Sequence, residues 1–351
     1  MDELLVAPPP RRTTVAAAGV RFRPGHYVRP CGLHWTPQRQ DADFRFFDAV
    51  GGNPHVAGFV VHFTWAYFEG SPGDYSRGFR IVDAYLDKVA SLPTPKSLIL
   101  HVADRSFGEP TANVYPPYIV NNGWVAVKPA DRTWPGGLVS VAKLWRISAM
   151  DRLIAMSRAY AARYDAHPNL AMYGLGEPAL GPGLAADGSL AHLKRWFTES
   201  KKAWTRTPLR LCVTSAGDDA DLLDLIDHAS STVRPGGVAI GGPDPELPLP
   251  TPVRTIQANR LFRGERPATR DLRGVVPWVG EVRELGLGDR YTETPQEISD
   301  YFHHRMRCNY MIWLANTLVG GDAQRWPAIL AHLAAIRGRT YPDRPTLGVW
   351  S

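Results

Sequence analysis

The sequence predicts an α/β protein that folds as one (β/α)8 barrel, the TIM barrel, with a long insertion after strand 3. Short apolar runs alternate along the chain with longer amphipathic runs, which is typical of parallel strands connected by helices. Eight of the apolar runs have strand character, and eight strands close such a barrel. The chain has 351 residues, a common length for a single barrel. We therefore assign residues 24–351 to one barrel domain and residues 1–23, rich in Pro and Arg, to an irregular N-terminal arm.

The predicted strands are rich in aliphatic and aromatic residues and are bounded by Gly, Pro or polar residues. They comprise His26–Trp35, Val56–Trp65, Lys96–Asp104, Ala171–Glu177, Leu209–Ser215, Gly237–Gly241, Val275–Glu281 and Tyr310–Ala315.

Amphipathic segments between the strands predict the helices that cover the barrel. The best pattern lies in Trp145–Tyr164, where Met150, Leu153 and Ile154 recur at helical spacing. Six such helices are predicted: Arg80–Ala90, Trp145–Tyr164, Ala191–Trp204, Asp219–Ala229, Pro295–Arg307 and Ala323–Arg337.

The segment Ser106–Leu144 is too long for an ordinary connection and is rich in Gly, Pro and aromatic residues. Because it follows the third strand, we expect it to lie over the carboxyl face of the barrel. Asn121, Asn122 and Gly123 predict a tight turn that presents Trp124 toward a substrate. The alternative is that the insertion covers the barrel side or forms a dimer contact.

The charge balance does not favour a nucleic-acid partner. Lys and Arg exceed Asp and Glu by 40 to 34, giving a net charge of +6 that is spread along the chain without a dense basic tract. Cys31, Cys212 and Cys308 match no zinc or redox spacing. These features predict no nucleic-acid partner, and the oligomeric state stays open.

The first thirty residues lack the apolar stretch of a secretory signal, and no run approaches 18 apolar residues. We therefore expect no membrane association and a cytoplasmic protein as synthesised. Release by lysis or carriage on a virus would bring it to an external polysaccharide.

Polar residues at the ends of the predicted strands should converge on one mouth, where barrel enzymes hold their active sites. Glu177 and Glu281 differ from the others because each directly follows an apolar strand and a glycine. Hydrolysis of a glycosidic bond needs two such carboxyl groups. The alternative is that each is a loop acid paired with an arginine. The other strand-end residues are His34, Trp35, His62, Trp65, His101, Asp104, Ser215, Asp244, Trp313 and Asn316.

The segment Trp65–Tyr75 resembles the "W…E-x-x-P-G-x-Y" turn that follows strand two in many clan A glycoside hydrolases, such as barrel β-galactosidases and related glycanases. Together with the two glutamates and Trp313, the resemblance covers most of residues 25–335. It implies that Glu177 is the acid/base, Glu281 the nucleophile and Trp313 the floor of the sugar site. One departure is Gly176, which stands where the clan usually has Asn.

These observations predict a retaining glycoside hydrolase that cleaves β-linked bonds in a poly- or oligosaccharide by a two-glutamate double displacement. Aromatic rings pack against the C–H faces of sugars, and a polar group is needed to replace the missing Asn. Glu284 is a rival for the nucleophile. The predicted substrate-binding residues are His34, Trp35, Trp65, His101, Asn121, Trp124 and Trp313.

Two other functions stay open. The missing Asn before Glu177 is compatible with a carbohydrate-binding barrel that has no catalytic activity. A metal-dependent barrel hydrolase could use His34, His62, His101 and Asp104. The sequence has no H-x-H or H-E-x-x-H motif, so we expect neither a metal nor another cofactor.

Overall fold

A computed structural model describes residues 19–30, 37–107, 111–128, 139–176, 188–212, 219–232, 237–243, 272–282, 294–315, 325–347 and 350–351. Eight parallel strands close into a barrel, which confirms the predicted fold class. Each predicted strand supplies one barrel strand, and these are β1 (Gly25–Pro30), β2 (Gly58–Thr64), β3 (Ser97–Ala103), β7 (Leu170–Leu175), β8 (Leu209–Cys212), β9 (Val238–Pro243), β10 (Trp278–Glu281) and β11 (Tyr310–Ala315). They follow one another around the barrel in chain order, and β11 pairs with β1.

The helices include all six that the sequence predicts. The last turns of two of them are π-helical, at His228–Thr232 and Tyr301–Arg305. No helix in the described ranges is long and apolar enough to cross a membrane. The helices are α1 (Pro37–Gly51), α2 (Trp65–Phe68), α3 (Ser76–Ala90), α4 (Thr111–Val114), α5 (Pro117–Asn121), α6 (Ile147–Tyr164), α7 (Ser189–Ala203), α8 (Asp219–Asp227), α9 (Pro295–Asp300) and α10 (Arg325–Ala335).

Helix α1 was not predicted from the sequence. Its buried face includes Asp43, Phe47 and Val50 at helical spacing, so an acid occupies a position where the pattern requires an apolar residue. The Asp43 carboxylate accepts hydrogen bonds from the Tyr85 hydroxyl at 2.7 Å and from Arg39 Nε at 2.8 Å. These partners allow the acid to lie in the core.

Two separate apolar clusters arise from the alternation of side chains along the strands. The larger cluster includes residues from the helices, so it lies between the barrel and its outer layer. The smaller one fills the barrel interior and is called the apolar layer below. Its members are Tyr27, Val60, Ile99, Ala171, Met172, Ala239, Val279, Tyr310 and Ile312.

The insertion is a folded unit with a three-stranded antiparallel sheet in the order β4 (Arg105–Phe107), β6 (Val139–Ala142) and β5 (Val125–Lys128), together with α4 and α5. The Thr64 hydroxyl at the end of β2 donates to the carbonyl of Asn113 at 2.7 Å. The Tyr115 hydroxyl donates to the carbonyl of Asp104 at 3.2 Å. The insertion therefore lies at the carboxyl ends of β2 and β3, as predicted.

The predicted turn at Asn121–Gly123 is confirmed. Gly123 has a φ of +65°, in the left-handed region that glycine tolerates. Its N–H donates to the carbonyl of Val120 at 2.9 Å, and the Trp124 N–H donates to that of Ile119 at 3.0 Å. This pair of bonds is the Schellman arrangement that ends a helix, here α5.

The end of the predicted N-terminal arm is part of the barrel structure. Val20 pairs with Trp350, and the Phe22 N–H donates to the carbonyl of Ser351 at 2.9 Å. Residues 1–18 lie outside the described residues. Val20 and Phe22, which the sequence assigned to the arm, therefore pair with residues 350 and 351.

Candidate active site

Five polar side chains, four of them buried and His62 partly buried, meet inside the barrel above the apolar layer. Arg210 on β8 contacts side chains of β3 and β10, which are not its neighbours in the barrel, so these contacts cross the interior. Several members stand two residues beyond an apolar-layer residue on the same strand, as Glu281 follows Val279. We call this group the polar layer, and its members are Arg29, His62, His101, Arg210 and Glu281.

Glu281 is held by two guanidinium groups. Arg29 Nη1 donates to its Oε1, and Arg210 Nη2 donates to its Oε2 at 2.8 Å. Glu281 is 3% exposed and Arg210 fully buried. Burial by itself would raise the pKa of the Glu281 carboxyl, but Arg29 and Arg210 outweigh burial and lower that pKa to about 2. Glu281 is therefore a carboxylate at neutral and mildly acidic pH.

The two histidines extend this network. Arg210 Nη1 lies 3.1 Å from His101 Nε2, and His101 Nδ1 lies 2.8 Å from His62 Nε2. Arg210 Nη1 also lies 3.4 Å from His101 Nδ1, so the guanidinium lies against the face of the ring, and within the histidine pair one ring nitrogen donates to the other. Burial lowers the pKa of both rings well below the ordinary value, and Arg29 and Arg210 lower it further. Both histidines are therefore neutral at pH 7.

Glycines next to the site give room for these side chains. A Cβ on Gly174 would lie 3.0 Å from Cβ of Arg210 and 2.9 Å from its carbonyl oxygen. A Cβ on Gly280 would lie 2.6 Å from the ring of Phe302. The Phe302 side chain therefore occupies the space beside the glycine that precedes Glu281.

Three predicted site residues, Glu177, His34 and Trp35, lie outside the described residues, as does the rival nucleophile Glu284. The residue before Glu177 is described. The Gly176 N–H donates to the carbonyl of Val102 at 2.7 Å, at the carboxyl end of the fourth barrel strand. The pairing of Glu177 with Glu281 therefore stays a prediction.

Trp313 does not face the barrel interior. It belongs to the cluster between strands and helices and is 1% exposed, whereas its neighbour Ile312 belongs to the apolar layer. Its Nε1 donates to His26 Nδ1 at 3.0 Å, and its ring centroid lies 6.4 Å from that of His332. This placement does not support Trp313 as the floor of a sugar site, because strand alternation directs the side chain outward.

Trp65 is also fully buried. Its Nε1 donates to Oε2 of Glu69 at 3.0 Å, so the tryptophan and glutamate of the W…E turn form a bonded pair within the fold. A fully buried ring offers no face to a sugar, and the structure therefore does not support Trp65 as a substrate-binding residue.

Asn121 and Trp124 lie in the insertion at the carboxyl side of the barrel. Asn121 is exposed at the end of α5. Trp124 is partly buried and meets Tyr118 edge to face, with ring centroids 6.4 Å apart. Both remain candidates for saccharide contacts.

Sequence reasoning did not single out Arg29 and Arg210. Two sequence signals were available. Arg29 stands two residues after the apolar-layer residue Tyr27, and Arg210 lies inside the short apolar strand Leu-Arg-Leu-Cys. An arginine facing a barrel interior needs a carboxylate partner. That requirement would have connected both arginines with Glu281.

The described residues do not support the metal alternative. Among them, no group of three His, Cys, Asp or Glu side chains could hold a metal ion. Asp104 is buried with Arg105 Nε 3.7 Å from its Oδ1, and burial raises the pKa of its carboxyl while Arg105 opposes that rise. His62 and His101 lie beside guanidinium groups, which disfavour a cation, and His34 is outside the described ranges.

The fold is similar to that of solved carbohydrate-active enzymes. Endo-glycoceramidase II from Rhodococcus sp. has a TM-score of 0.53 and 15% identity, covering 85% of this chain and 75% of that one. The endoglucanase Cel5A from Pseudomonas stutzeri also gives 0.53, with 13% identity and coverage of 92% and 97%. An endogalactoceramidase gives 0.50 with 13% identity, covering 85% of this chain and 71% of its own.

No protein-family model matches the chain, and no curated protein matches it. At these identities the likeness shows a shared fold. It agrees with the barrel predicted from the alternation of strands and helices along the sequence.

Proposed function

We propose that the protein is a retaining glycoside hydrolase that acts on β-linked poly- or oligosaccharides, with Glu281 as nucleophile and Glu177 as acid/base. The observation that carries the proposal is Glu281 itself. It is a carboxylate at the carboxyl end of the seventh barrel strand, inside the barrel, and two arginines keep it ionised. A glycosidase nucleophile has to be ionised when the substrate arrives.

In the first step, a Glu281 oxygen forms a bond to the anomeric carbon while the glycosidic C–O bond breaks. Glu177 gives its proton to the leaving oxygen. In the second step, Glu177 takes a proton from water, whose oxygen attacks the anomeric carbon and releases the Glu281 carboxylate. Two inversions retain the anomeric configuration.

Arg29 and Arg210 affect the two steps in opposite directions. By stabilising the Glu281 carboxylate, they make it a weaker nucleophile in the first step. For the same reason they make it a better leaving group in the second step. We therefore expect the glycosyl-enzyme to form slowly and to hydrolyse quickly.

The similar solved structures support a saccharide substrate, since by name they are a glycoceramidase, a galactoceramidase and an endoglucanase. The second candidate is a non-catalytic carbohydrate-binding barrel. The observation that favours it is Gly176, which lacks the amide expected before the acid/base.

The test is a panel of 4-nitrophenyl β-glycosides and β-linked polysaccharides, with proton NMR of the first product. We expect hydrolysis with a β-configured product. With azide, Glu281→Ala should yield an α-glycosyl azide and Glu177→Ala a β-glycosyl azide, because azide replaces a different group in each variant.

Three outcomes would contradict the proposal. An α-configured first product would show inversion. Saccharide binding without turnover would establish the binding barrel. Activity that disappears on chelation and returns with a divalent cation would establish the metal-dependent hydrolase.

A further inference from the structure

Glu69 is a buried carboxylate outside the polar layer, and four groups donate to it. It is fully buried, at the end of α2. Each carboxylate oxygen accepts from two donors, so its hydrogen-bonding capacity is filled. The donors are the Arg152 guanidinium, the Gly73 N–H at 2.8 Å, Trp65 Nε1 at 3.0 Å and the Tyr118 hydroxyl at 2.6 Å.

These donors come from four different segments. Trp65 lies on α2, Gly73 precedes α3, Arg152 lies on α6 and Tyr118 lies on α5 of the insertion. A buried carboxylate that loses a partner is strongly destabilised, because its charge is then poorly compensated. The four donors are therefore held in their positions around Glu69. Glu69 therefore attaches α5 to the barrel.

The base of the insertion has separate attachments. The Thr64 hydroxyl donates to the carbonyl of Asn113, and the Tyr115 hydroxyl donates to the carbonyl of Asp104 at 3.2 Å. Neither attachment involves α5. Helix α5 is connected differently. Among the described residues, its Tyr118 hydroxyl donates a hydrogen bond to a charged side chain outside the insertion, the Glu69 carboxylate.

Trp124 is tied to the same short helix. Its N–H closes the Schellman arrangement on Ile119, and its ring contacts that of Tyr118. Its carbonyl accepts from the Lys143 N–H at 2.8 Å. A shift of Tyr118 would therefore shift Trp124.

We propose that Glu69, acting through Tyr118, is a positioning residue that holds Trp124 in place as a platform for sugar units beyond the bond that is cleaved. The substrate part of this inference rests on the proposed function. It assigns the W…E turn a role in binding long saccharides, through a residue that does not itself touch them.

The test compares Tyr118→Phe with Tyr75→Phe. The Tyr75 hydroxyl also belongs to this network, because Arg152 Nη2 donates to it at 3.1 Å, but Tyr75 is not part of the insertion. We expect amides of residues 117–128 to exchange with solvent about tenfold faster in Tyr118→Phe only. In both variants, amides of residues 97–103 should exchange as in the wild type.

Kinetics supply the second readout. In Tyr118→Phe we expect the KM for a long oligosaccharide to rise about two- to fivefold, with kcat on a one-sugar aryl glycoside within twofold of wild type. Tyr75→Phe should keep both values. Unchanged exchange in residues 117–128 would overturn the attachment, and an unchanged KM for long substrates would overturn the platform.

Failure of the proposed function would show separately, as a wild-type protein that turns over none of the substrates. Oligosaccharide affinity measured by calorimetry then replaces KM. Equal affinities of the wild type and Tyr118→Phe would overturn the inference, and weaker affinity of Tyr118→Phe alone would support it.

Discussion

The two layers inside the barrel share the strands β1, β2, β3 and β10 but have opposite effects on stability. Val279 and Glu281, or Ile99 and His101, stand two residues apart and are all buried. Each apolar side chain of the lower layer contributes about 1.5–3 kcal/mol by leaving water. Each charged group of the polar layer loses several kcal/mol of solvation, which ion pairs and hydrogen bonds must offset.

A fold selected only for stability would continue the apolar layer upward, because replacing buried ion pairs with packed apolar residues is often neutral or stabilising. Here the ionic network lies at the end of the barrel where enzymes of this fold hold their active sites. The comparison therefore supports the proposed role of Glu281, while the lower layer contributes to the stability of the barrel.

The largest expected effect comes from replacing the polar layer's carboxylate. Glu281→Gln removes the attacking charge, and we expect kcat/KM to fall at least about a thousandfold. It also leaves two buried guanidinium groups without that charge, so the free energy of unfolding should fall by several kcal/mol. Steady-state kinetics and urea denaturation measure the two effects.

Glu281→Asp separates these effects because it keeps the charge but moves the carboxylate by about one methylene. We expect it to lose about a hundredfold in activity and to be more stable than Glu281→Gln. Full activity in either variant would show that the polar layer does not contain the nucleophile.

The apolar layer should respond in the opposite way. Ile99→Ala creates a cavity below His101 and should cost about 2–5 kcal/mol in the free energy of unfolding. We expect kcat/KM of the folded fraction, measured at low temperature, to stay within a fewfold of wild type. A loss of activity comparable to that of Glu281→Asp would contradict the expectation that the apolar layer affects stability and not activity.

Acid should lower the free energy of unfolding because several histidines are neutral in the folded protein. The apolar layer contains no histidine and should not contribute to this loss. Burial lowers the pKa of His26 to about 4, although its Nε2 bonds the Arg339 carbonyl. Below pH 6.5 the unfolded chain binds a proton that the folded chain does not. Stability should therefore fall by about 3 kcal/mol between pH 6.5 and 4 from this ring.

His62 and His101 act in the same direction, and Glu281 adds to the loss as the pH falls from its unfolded pKa toward 2. Urea denaturation at several pH values tests this expectation. His26→Gln, which cannot titrate, is the matched variant and should show a shallower decline. Equal slopes in the two proteins would contradict the assignment to His26.

The smallest expected effect lies outside both layers, in Trp124→Ala. Loss of one aromatic contact should raise KM for long saccharides about two- to tenfold, with little change for short ones. The melting temperature should stay within a few degrees, since the ring is only partly buried. An equal rise for short and long substrates would place the Trp124 contact at the bond that is cleaved.

The barrel was predictable because its eight strands are mostly apolar runs, as expected for strands buried on both faces. Helix α1 was missed because Asp43 interrupts its apolar face, and only the structure shows the Tyr85 hydroxyl that allows this acid to be buried.

The site was only partly predictable. The position of Glu281 follows from the end of an apolar run, but its arginine partners come from strands far away in the sequence. The orientation of Trp313 could not be read from a strand that is apolar on both faces, because alternation then gives no signal. Trp65 was assigned to substrate binding because it stands at the end of a predicted strand, and its bond to the buried Glu69 is seen only in the structure.

The most direct test of the central claim is to trap the nucleophile. A panel of 2,4-dinitrophenyl 2-deoxy-2-fluoro-β-glycosides is incubated with the protein, and the intact mass and peptide masses are then measured. The 2-fluoro group slows both steps and the reactive leaving group restores the first, so the glycosyl-enzyme accumulates. The account predicts one added sugar, on the peptide at Glu281, and none in Glu281→Gln. A sugar attached to Glu284 or to any other residue would contradict it.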